Sequence, residues 1–426
     1  MTAPSSTSAG STAAPDQPSS RERGKARLFG DGAARPASPH PGHIPALDGV
    51  RGLAVLLILA FHFGVGVRFF VTDHAVARLT GAGWIGVDLF FVLSGFLITG
   101  ILFDSRRSQH YFRNFYMRRL LRIFPLYYFA LLVAALLSLS FPDLPLHGLT
   151  NPIWLVLYLQ NFAIAAEGWG AIPEHLSHYW SLAVEEQFYL LWPLLVWRAS
   201  RARVMALAAA VIVLAPLLRT ALVLNDVSPT AVFVLTPTRA DALAVGAFLA
   251  MAVRGPGGVE AVARLAGIVG ALAAIGVLAI VVARGTIGVD DPLMQTLGYS
   301  LIAIAFGGLI AAALAWRVVE AAFSAPVLRW FGRYSYGIYV WHYLIYFFFH
   351  EVTVIADWVG ATRGGPYALY VAVSIALTVG IAVASYHLFE APFLRLKARF
   401  AAPPPATTDT PAAATVWGPG SERDRR

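Results

Sequence analysis

Hydrophobic residues are gathered into long blocks that alternate with short polar segments along most of the chain. Most blocks are close to 20 residues long, which is enough for a helix to cross the ~30 Å hydrocarbon core of a bilayer. They lie at about residues 50–67, 83–103, 123–140, 152–165, 180–197, 204–224, 238–253, 265–283, 294–316, 333–349 and 367–389. This pattern predicts an all-α polytopic membrane protein.

The composition of the 426-residue chain excludes several other classes of protein. It is 58% hydrophobic and only 13% charged, with a mean hydropathy of +0.64. Soluble proteins carry roughly 25% charged residues, so a soluble enzyme, a coiled coil and a disordered scaffold are excluded. Cysteine is absent, which excludes disulfides, thiolate nucleophiles and cysteine metal sites, and we expect no metal. The net charge of +8 is spread over many loops, so no nucleic-acid partner is expected.

The distribution of lysine and arginine predicts the topology, because basic residues favour cytoplasmic loops. Basic clusters occur at residues 21–35, 106–122, 198–203, 254–264, 317–333 and 395–399. All of them fall on the cytoplasmic side if block 152–165 does not span. That block is also the shortest, which suits an interfacial helix. We therefore predict ten transmembrane helices, both termini cytoplasmic, and one interfacial helix in an external loop at 141–179.

The two ends of the chain are predicted to be disordered cytoplasmic tails. Residues 1–44 and 397–426 are rich in Ala, Pro, Ser and Thr and have few large apolar side chains to bury. Basic residues between 21 and 27 can contact anionic lipid. The intervening residues 45–396 form a single membrane domain.

Two polar residues share one face of the first predicted span. Arg51 and His62 are eleven residues apart, which is three helical turns plus about 20°. The spacing places His62 about 16 Å beyond Arg51, near the middle of the membrane. A charged or polar side chain at that depth is costly and requires a partner or a function.

Other spans carry polar residues that lipid would not tolerate. They are His178, Ser181, Glu185, Glu186, Arg239, Asp241 and His342. One such residue is usually structural, but several in separate spans are better explained by a shared hydrated cavity. We expect this cavity to open towards the outer side of the membrane.

Three arginines crowd the helix that precedes the third span. Arg118 and Arg122 are one turn apart, and Arg119 lies three residues before Arg122. The cluster can be an ordinary positive-inside anchor. It can also be an anion site, since guanidinium groups match phosphate oxygens in pairs.

Several of these segments, in this order, resemble the acyltransferase 3 family of membrane proteins. Residues 44–52 (IPALDGVRG) followed by His62 are similar to its opening signature, and residues 86–98 (GVDLFFVLSGFLI) to its second-helix motif. Further similar segments are residues 118–128, 179–193, 239–246, 335–342 and 386–393. The resemblance covers roughly residues 44–396. Many members carry a C-terminal SGNH hydrolase-type domain, which we do not expect in this chain.

The resemblance implies transfer of an acyl group, often acetyl from acetyl-CoA, to a hydroxyl group. It implies that Arg51 and His62 form an essential pair and that Arg119 and Arg122 lie near the donor. We group Glu186 with that pair as catalytic and assign Arg118 with the other two arginines to acyl-CoA, which is a donor substrate rather than a bound cofactor. Acceptor binding is assigned to His178, Ser181, Glu185, Arg239, Asp241 and His342. The role of His62 is either general base or acyl carrier.

The identity of the acceptor and two rival functions stay open at this point. A carbohydrate of the cell envelope is the expected acceptor, and a small metabolite such as a macrolide is the alternative. A transporter or flippase for a lipid-linked sugar would also carry polar residues in its spans, although the sequence has no internal repeat of the kind many transporters show. A structural membrane subunit would not need aligned Arg and His. In each case the chain is expected in a bacterial plasma membrane.

Overall fold

The computed structural model describes residues 43–67, 81–140, 151–352 and 365–400, and the regular elements of this part of the chain are all helical. The helices are α1 Pro45–Val67, α2 Ile85–Ser105, α3 Tyr111–Ser140, α4 Ile153–Val156, α5 Gln160–Glu167, α6 Trp180–Trp197, α7 Arg201–Leu224, α8 Pro229–Val234, α9 Thr236–Ala252, α10 Gly258–Arg284, α11 Tyr299–Ala315, α12 Arg317–Phe323, α13 Pro326–Val352, α14 Gly365–Ser385 and α15 Ala391–Leu396. Short 3₁₀ turns cover Trp169–Ala171, Glu174–Tyr179 and Lys397–Phe400, and π turns cover Met294–Gly298 and Tyr386–Glu390. The predicted all-α fold is confirmed.

The long helices match the predicted spans one for one. Among the described residues, eight helices are long and apolar enough to cross a membrane. The other two long helices, α6 with 18 residues and α13 with 27, carry the polar side chains described below. A multi-pass membrane protein is therefore confirmed, while the cytoplasmic location of both termini stays a prediction. Of the disordered tails predicted at 1–44 and 397–426, residues 1–42 and 401–426 lie outside the described residues, whereas Lys397–Phe400 forms a 3₁₀ turn.

The block at 152–165 does not form one long helix. Its residues form α4, which has 4 residues, and α5, which has 8, and neither could cross a bilayer. Between the two helices, Tyr158 adopts a left-handed backbone conformation with a φ of 55°, which interrupts the helix. The following segment reaches α6 through 3₁₀ turns. The location of this segment at the membrane interface stays a prediction.

Glycines bring two pairs of long helices into backbone contact. A Cβ atom on Gly95 of α2 would lie 1.9 Å from the carbonyl oxygen of Leu243, and one on Gly246 of α9 would lie 1.9 Å from that of Val92. Gly332 makes a similar contact between α13 and α1. Small residues of this kind drive helix association where lipid removes the hydrophobic force between helices. These contacts fix α1, α2, α9 and α13 around the site.

Candidate active site

A cavity of about 960 Å³ lies between α1, α2, α3, α6 and α13. Along α2 its wall runs from Val87 to Ser105, which corresponds to roughly 27 Å of helix. One end is lined by exposed residues that include Arg107 and His110. The other end lies deep in the bundle, where buried side chains form the wall. The cavity therefore opens at the end of the helices that carries the basic cluster 106–122, the predicted cytoplasmic side, and not towards the outer side as expected.

The open half of the cavity is strongly basic. Arg118, Arg119 and Arg122 all line it, as the anion-site hypothesis requires. Arg51 joins them from α1 and is paired with Asp48 at 3.1 Å. Four other basic residues near the mouth were predicted only to mark the cytoplasmic side. These are Arg107, Arg113, Lys397 and Arg399.

Two carboxylates from α6 face the arginines across the cavity. Glu185 and Glu186 both line the wall, and both interact electrostatically with Arg119. The Arg119 guanidinium also lies 5.4 Å from the ring of Tyr189, whose hydroxyl is hydrogen-bonded to Ser94. One carboxylate oxygen of Glu186, Oε1, is buried and has no hydrogen-bond partner. An acceptor-only group in that state is suited to receive a proton donor from a bound molecule.

Tyr339 and Ser181 close the inner end of the cavity. The Tyr339 hydroxyl donates to the backbone carbonyl of His178 at 2.8 Å and lies 2.5 Å from the Ser181 hydroxyl oxygen. Both side chains line the cavity and are buried. Tyr339 was not among the predicted site residues. An aromatic residue in an apolar helix carries no signal of its own, although its position three residues before His342 placed it on the same helical face.

Three histidines meet directly behind this closure. His62 Nδ1 lies 3.2 Å from His342 Nε2, and the His178 ring lies 4.7 Å from that of His342 and 6.2 Å from that of His62. His342 and His178 are buried, whereas His62 is partly exposed. Burial lowers the pKa of His178 well below its usual value, and the two neighbouring histidines lower it further. His178 is therefore neutral at physiological pH.

The structure divides the predicted pair of Arg51 and His62 between the two parts of the site. Arg51 belongs to the basic half of the cavity, and His62 belongs to the histidine cluster beyond the inner end. Both lie on α1, so their eleven-residue spacing becomes the separation between the two parts. The shared helical face is the link between them.

Arg239 and Asp241 lie apart from the cavity, in buried ion pairs. Arg239 donates to Asp88 of α2 at 2.7 Å, and Asp241 accepts from Arg219 of α7 at 2.9 Å. Ser300 donates to Asp241 at 2.6 Å. All four charged side chains are almost completely buried. Together with Ser300 of α11 they hold four helices together, and none of them lines the cavity that Glu186 lines.

The chain belongs to the acyltransferase 3 family, whose acyltransferase-domain profile matches residues 44–387. Together with the eight apolar helices, this membership identifies a multi-pass integral protein of the cell membrane. The chain is similar to the peptidoglycan O-acetyltransferase OatA of Listeria monocytogenes, with 28% identity over 372 residues, 82% of this chain and 56% of the relative. It is also similar to the O-acetyltransferase OatA of Staphylococcus aureus, with 29% identity over 369 residues, 83% of this chain and 57% of the relative.

The chain thus spans a little over half the length of these curated relatives. No solved structure matches it.

Proposed function

We propose that this protein transfers an acetyl group from acetyl-CoA to a hydroxyl of a cell-envelope carbohydrate. The observation that carries the proposal is a single cavity that leads from an arginine cluster at its open half to a histidine cluster behind its inner end. The relatives' names, which specify O-acetyl transfer and, for the Listeria protein, peptidoglycan, support the acyl group and the class of acceptor.

The basic half of the cavity suits the phosphates of the donor. Arg118, Arg119 and Arg122 present forked donors that match phosphate oxygens bidentately. The cavity extends roughly 27 Å along α2. A long donor can therefore place its phosphates at the open end and its thioester at the inner end. In this arrangement the thioester arm extends towards Tyr339.

The histidine cluster suits the chemical step. A sugar hydroxyl is a poor nucleophile, and a neutral imidazole can take its proton as the oxygen attacks the thioester carbonyl. The carbon–sulfur bond then breaks, and the proton on His62 passes to the departing thiolate. The tetrahedral oxyanion formed on the way requires a nearby hydrogen-bond donor. Ser181 is the candidate donor at the inner end of the cavity, because the Tyr339 hydroxyl already donates to the His178 carbonyl.

The acceptor is proposed to approach His62 from the side opposite the cavity. His62 packs against the ring of Tyr343 at 4.8 Å, and the Tyr343 hydroxyl donates to Glu174 at 3.2 Å in an exposed contact. An aromatic ring beside a carboxylate is a common surface for a sugar, since one binds its apolar face and the other its hydroxyls. Donor and acceptor thus approach His62 from opposite directions, and their reacting atoms meet beside its ring.

The test is an acetylation assay with purified protein in detergent. Radiolabelled acetyl-CoA is incubated with soluble peptidoglycan fragments, and with a macrolide in a parallel reaction. We expect labelled carbohydrate from the wild type and none from His62→Ala, provided that the variant purifies as a monodisperse species. Labelled macrolide without labelled carbohydrate would assign the small-molecule acceptor instead.

Two further outcomes would overturn parts of the proposal. Absence of any acetylated product, with movement of a lipid-linked sugar between leaflets in proteoliposomes, would indicate a transporter or flippase. An acetyl group found on His62 by mass spectrometry, after incubation with donor alone, would show that this histidine carries the acyl group covalently instead of acting as a general base.

A further inference from the structure

We infer that His342 is a positioning residue that holds His62 in the tautomer whose Nε2 is basic. The inference rests on the proposed function, in which His62 takes the acceptor proton. It assigns His342 a role different from acceptor binding. The Tyr339 backbone carbonyl anchors the cluster, because it accepts hydrogen bonds from both His342 and His178.

The tautomer of His342 follows from its contact with that carbonyl. His342 Nδ1 lies 2.8 Å from the carbonyl oxygen of Tyr339, and a carbonyl can only accept. Nδ1 must therefore carry a hydrogen. In the neutral ring this leaves Nε2 of His342 as an acceptor, and the side chain is completely buried.

The tautomer of His62 follows in turn. Its Nδ1 lies 3.2 Å from His342 Nε2, so Nδ1 is the nitrogen that carries the hydrogen and donates. The opposite nitrogen, Nε2, then keeps its lone pair and is free to accept a proton. Which ring nitrogen of a histidine is basic is set by the hydrogen bond that the other makes.

A second acceptor acts on the same hydrogen. The carbonyl oxygen of Ile58 also lies 3.2 Å from His62 Nδ1 and favours the same tautomer. Ile58 is on the same helix as His62, whereas His342 belongs to α13. The contact with His342 therefore strengthens the tautomer preference and also does what Ile58 cannot, since it fixes the rotation of the His62 ring relative to a second helix.

His178 completes the anchor without a hydrogen bond to His62. Its Nε2 lies 3.0 Å from the same Tyr339 carbonyl and donates to it, while its Nδ1 is buried with no partner. Two N–H groups therefore converge on one carbonyl oxygen. When His62 gains a proton, its Nδ1–H group donates a charge-assisted bond to neutral His342, which stabilises the imidazolium.

The experiment combines kinetics with nitrogen NMR of ¹⁵N-histidine-labelled protein. His342→Phe keeps a ring of similar size without nitrogen, and His342→Gln restores an acceptor. We expect His342→Phe to lower kcat roughly 10- to 100-fold with the KM for acetyl-CoA unchanged, and His342→Gln to recover much of the loss. A residue with a merely structural role would not be rescued selectively by an acceptor.

The NMR readout does not depend on activity. The wild-type His62 signal, assigned by its loss in His62→Gln, should show hydrogen on Nδ1, and His342→Phe should produce a mixture of tautomers. His175→Phe is the matched control, because His175 is a buried histidine whose two ring nitrogens have no hydrogen-bond partner. It should leave both kcat and the His62 tautomer unchanged.

The outcomes separate this inference from the proposed function. An active His62→Ala would overturn the proposed function whatever the tautomer is. An inactive His62→Ala together with full kcat in His342→Phe would overturn only the role of His342. A wild-type His62 that carries its hydrogen on Nε2 would also overturn it, even if His342→Phe failed to fold.

Discussion

Arg119 stands where the positive and negative groups of the cavity meet. It interacts with Glu185 and Glu186 and lies over the ring of Tyr189. Its positive charge is therefore partly neutralised by groups of the protein itself. Arg122 lies 5.8 Å from the ring of Tyr336. Arg122 interacts with one carboxylate, Glu390, whereas Arg119 interacts with two, so Arg122 is the cleaner probe of donor binding.

We expect Arg122→Ala to weaken acetyl-CoA binding by about 1.5–3 kcal/mol, a roughly tenfold to hundredfold rise in Kd, because one charge-assisted contact to phosphate is lost. KM should rise while kcat changes little. Titration calorimetry in detergent measures the Kd. Arg264→Ala, at an exposed position of α10, is the matched control. Equal donor affinity in wild type and Arg122→Ala would reduce the cluster to a positive-inside anchor.

His175 makes the stability of the protein depend on pH. Burial lowers its pKa to about 4, so the folded state binds its proton less tightly than the unfolded state does. The neutral ring is favourable above the unfolded pKa of about 6.5, and this contribution is lost as pH falls from there towards 4. At pH 5 the loss for this one group is about 2 kcal/mol.

His175→Phe should therefore flatten the pH dependence of thermal unfolding between pH 7.5 and 5. The ring already packs on Phe347 at 5.4 Å, so an apolar ring suits the site. Melting curves in detergent at several pH values provide the measurement. Parallel pH profiles for variant and wild type would show that His175 is not buried in its neutral form.

At the scale of elements, the polar residues of α9 show what helical spacing can and cannot predict. Arg239 and Asp241 are two residues apart, about 200° around the helix, so they could not pair with each other. Their partners are on different helices, Asp88 on α2 and Arg219 on α7. The sequence showed that both charges needed partners, but it contained no signal for which distant helix would supply them.

The position of the spans was predictable for the opposite reason. Each long helix is specified by its own run of apolar residues and needs no knowledge of its neighbours. The arginines of α3 were predictable as a cluster because they lie within one turn. The role of the Tyr339 carbonyl as acceptor for His342 and His178 could not be predicted, since it depends on how separate helical segments pack.

Removing one partner of the ion pair between α7 and α9 should destabilise the protein strongly, whereas replacing both partners with apolar residues should destabilise it little. Asp241→Leu would leave Arg219 buried and without its carboxylate, which typically destabilises a protein by about 3–5 kcal/mol. Replacing both partners, as in Arg219→Met with Asp241→Leu, should restore much of the loss, because two apolar side chains have no charge to bury. Thermal unfolding in detergent compares the three proteins. A double variant as unstable as the single one would show that the pair has a role beyond packing.

At the scale of the whole molecule, the absence of cysteine allows topology to be tested without background labelling. Gly170 lies beyond α5 with open space around the position of a Cβ, and Gln109 is exposed in the loop before α3. In intact cells, Gly170→Cys should react with an impermeant maleimide. Gln109→Cys should react only after permeabilisation. The reverse pattern would place the basic clusters outside and contradict the predicted orientation.

The closure by Tyr339 and Ser181 also has an electrical consequence. A cavity that is lined by charged side chains and opens at one end carries the electrical potential of that compartment deep into the protein, so most of the transmembrane voltage is expected to fall across the short barrier formed by Tyr339 and the histidines. Moving one elementary charge across the whole of that voltage is worth about 2.3 kcal/mol per 100 mV. A proton that moves between His62 and one compartment experiences the part of this energy that falls between them. The energised membrane should therefore change the rate of transfer in sealed proteoliposomes, and its collapse by an ionophore should abolish the change.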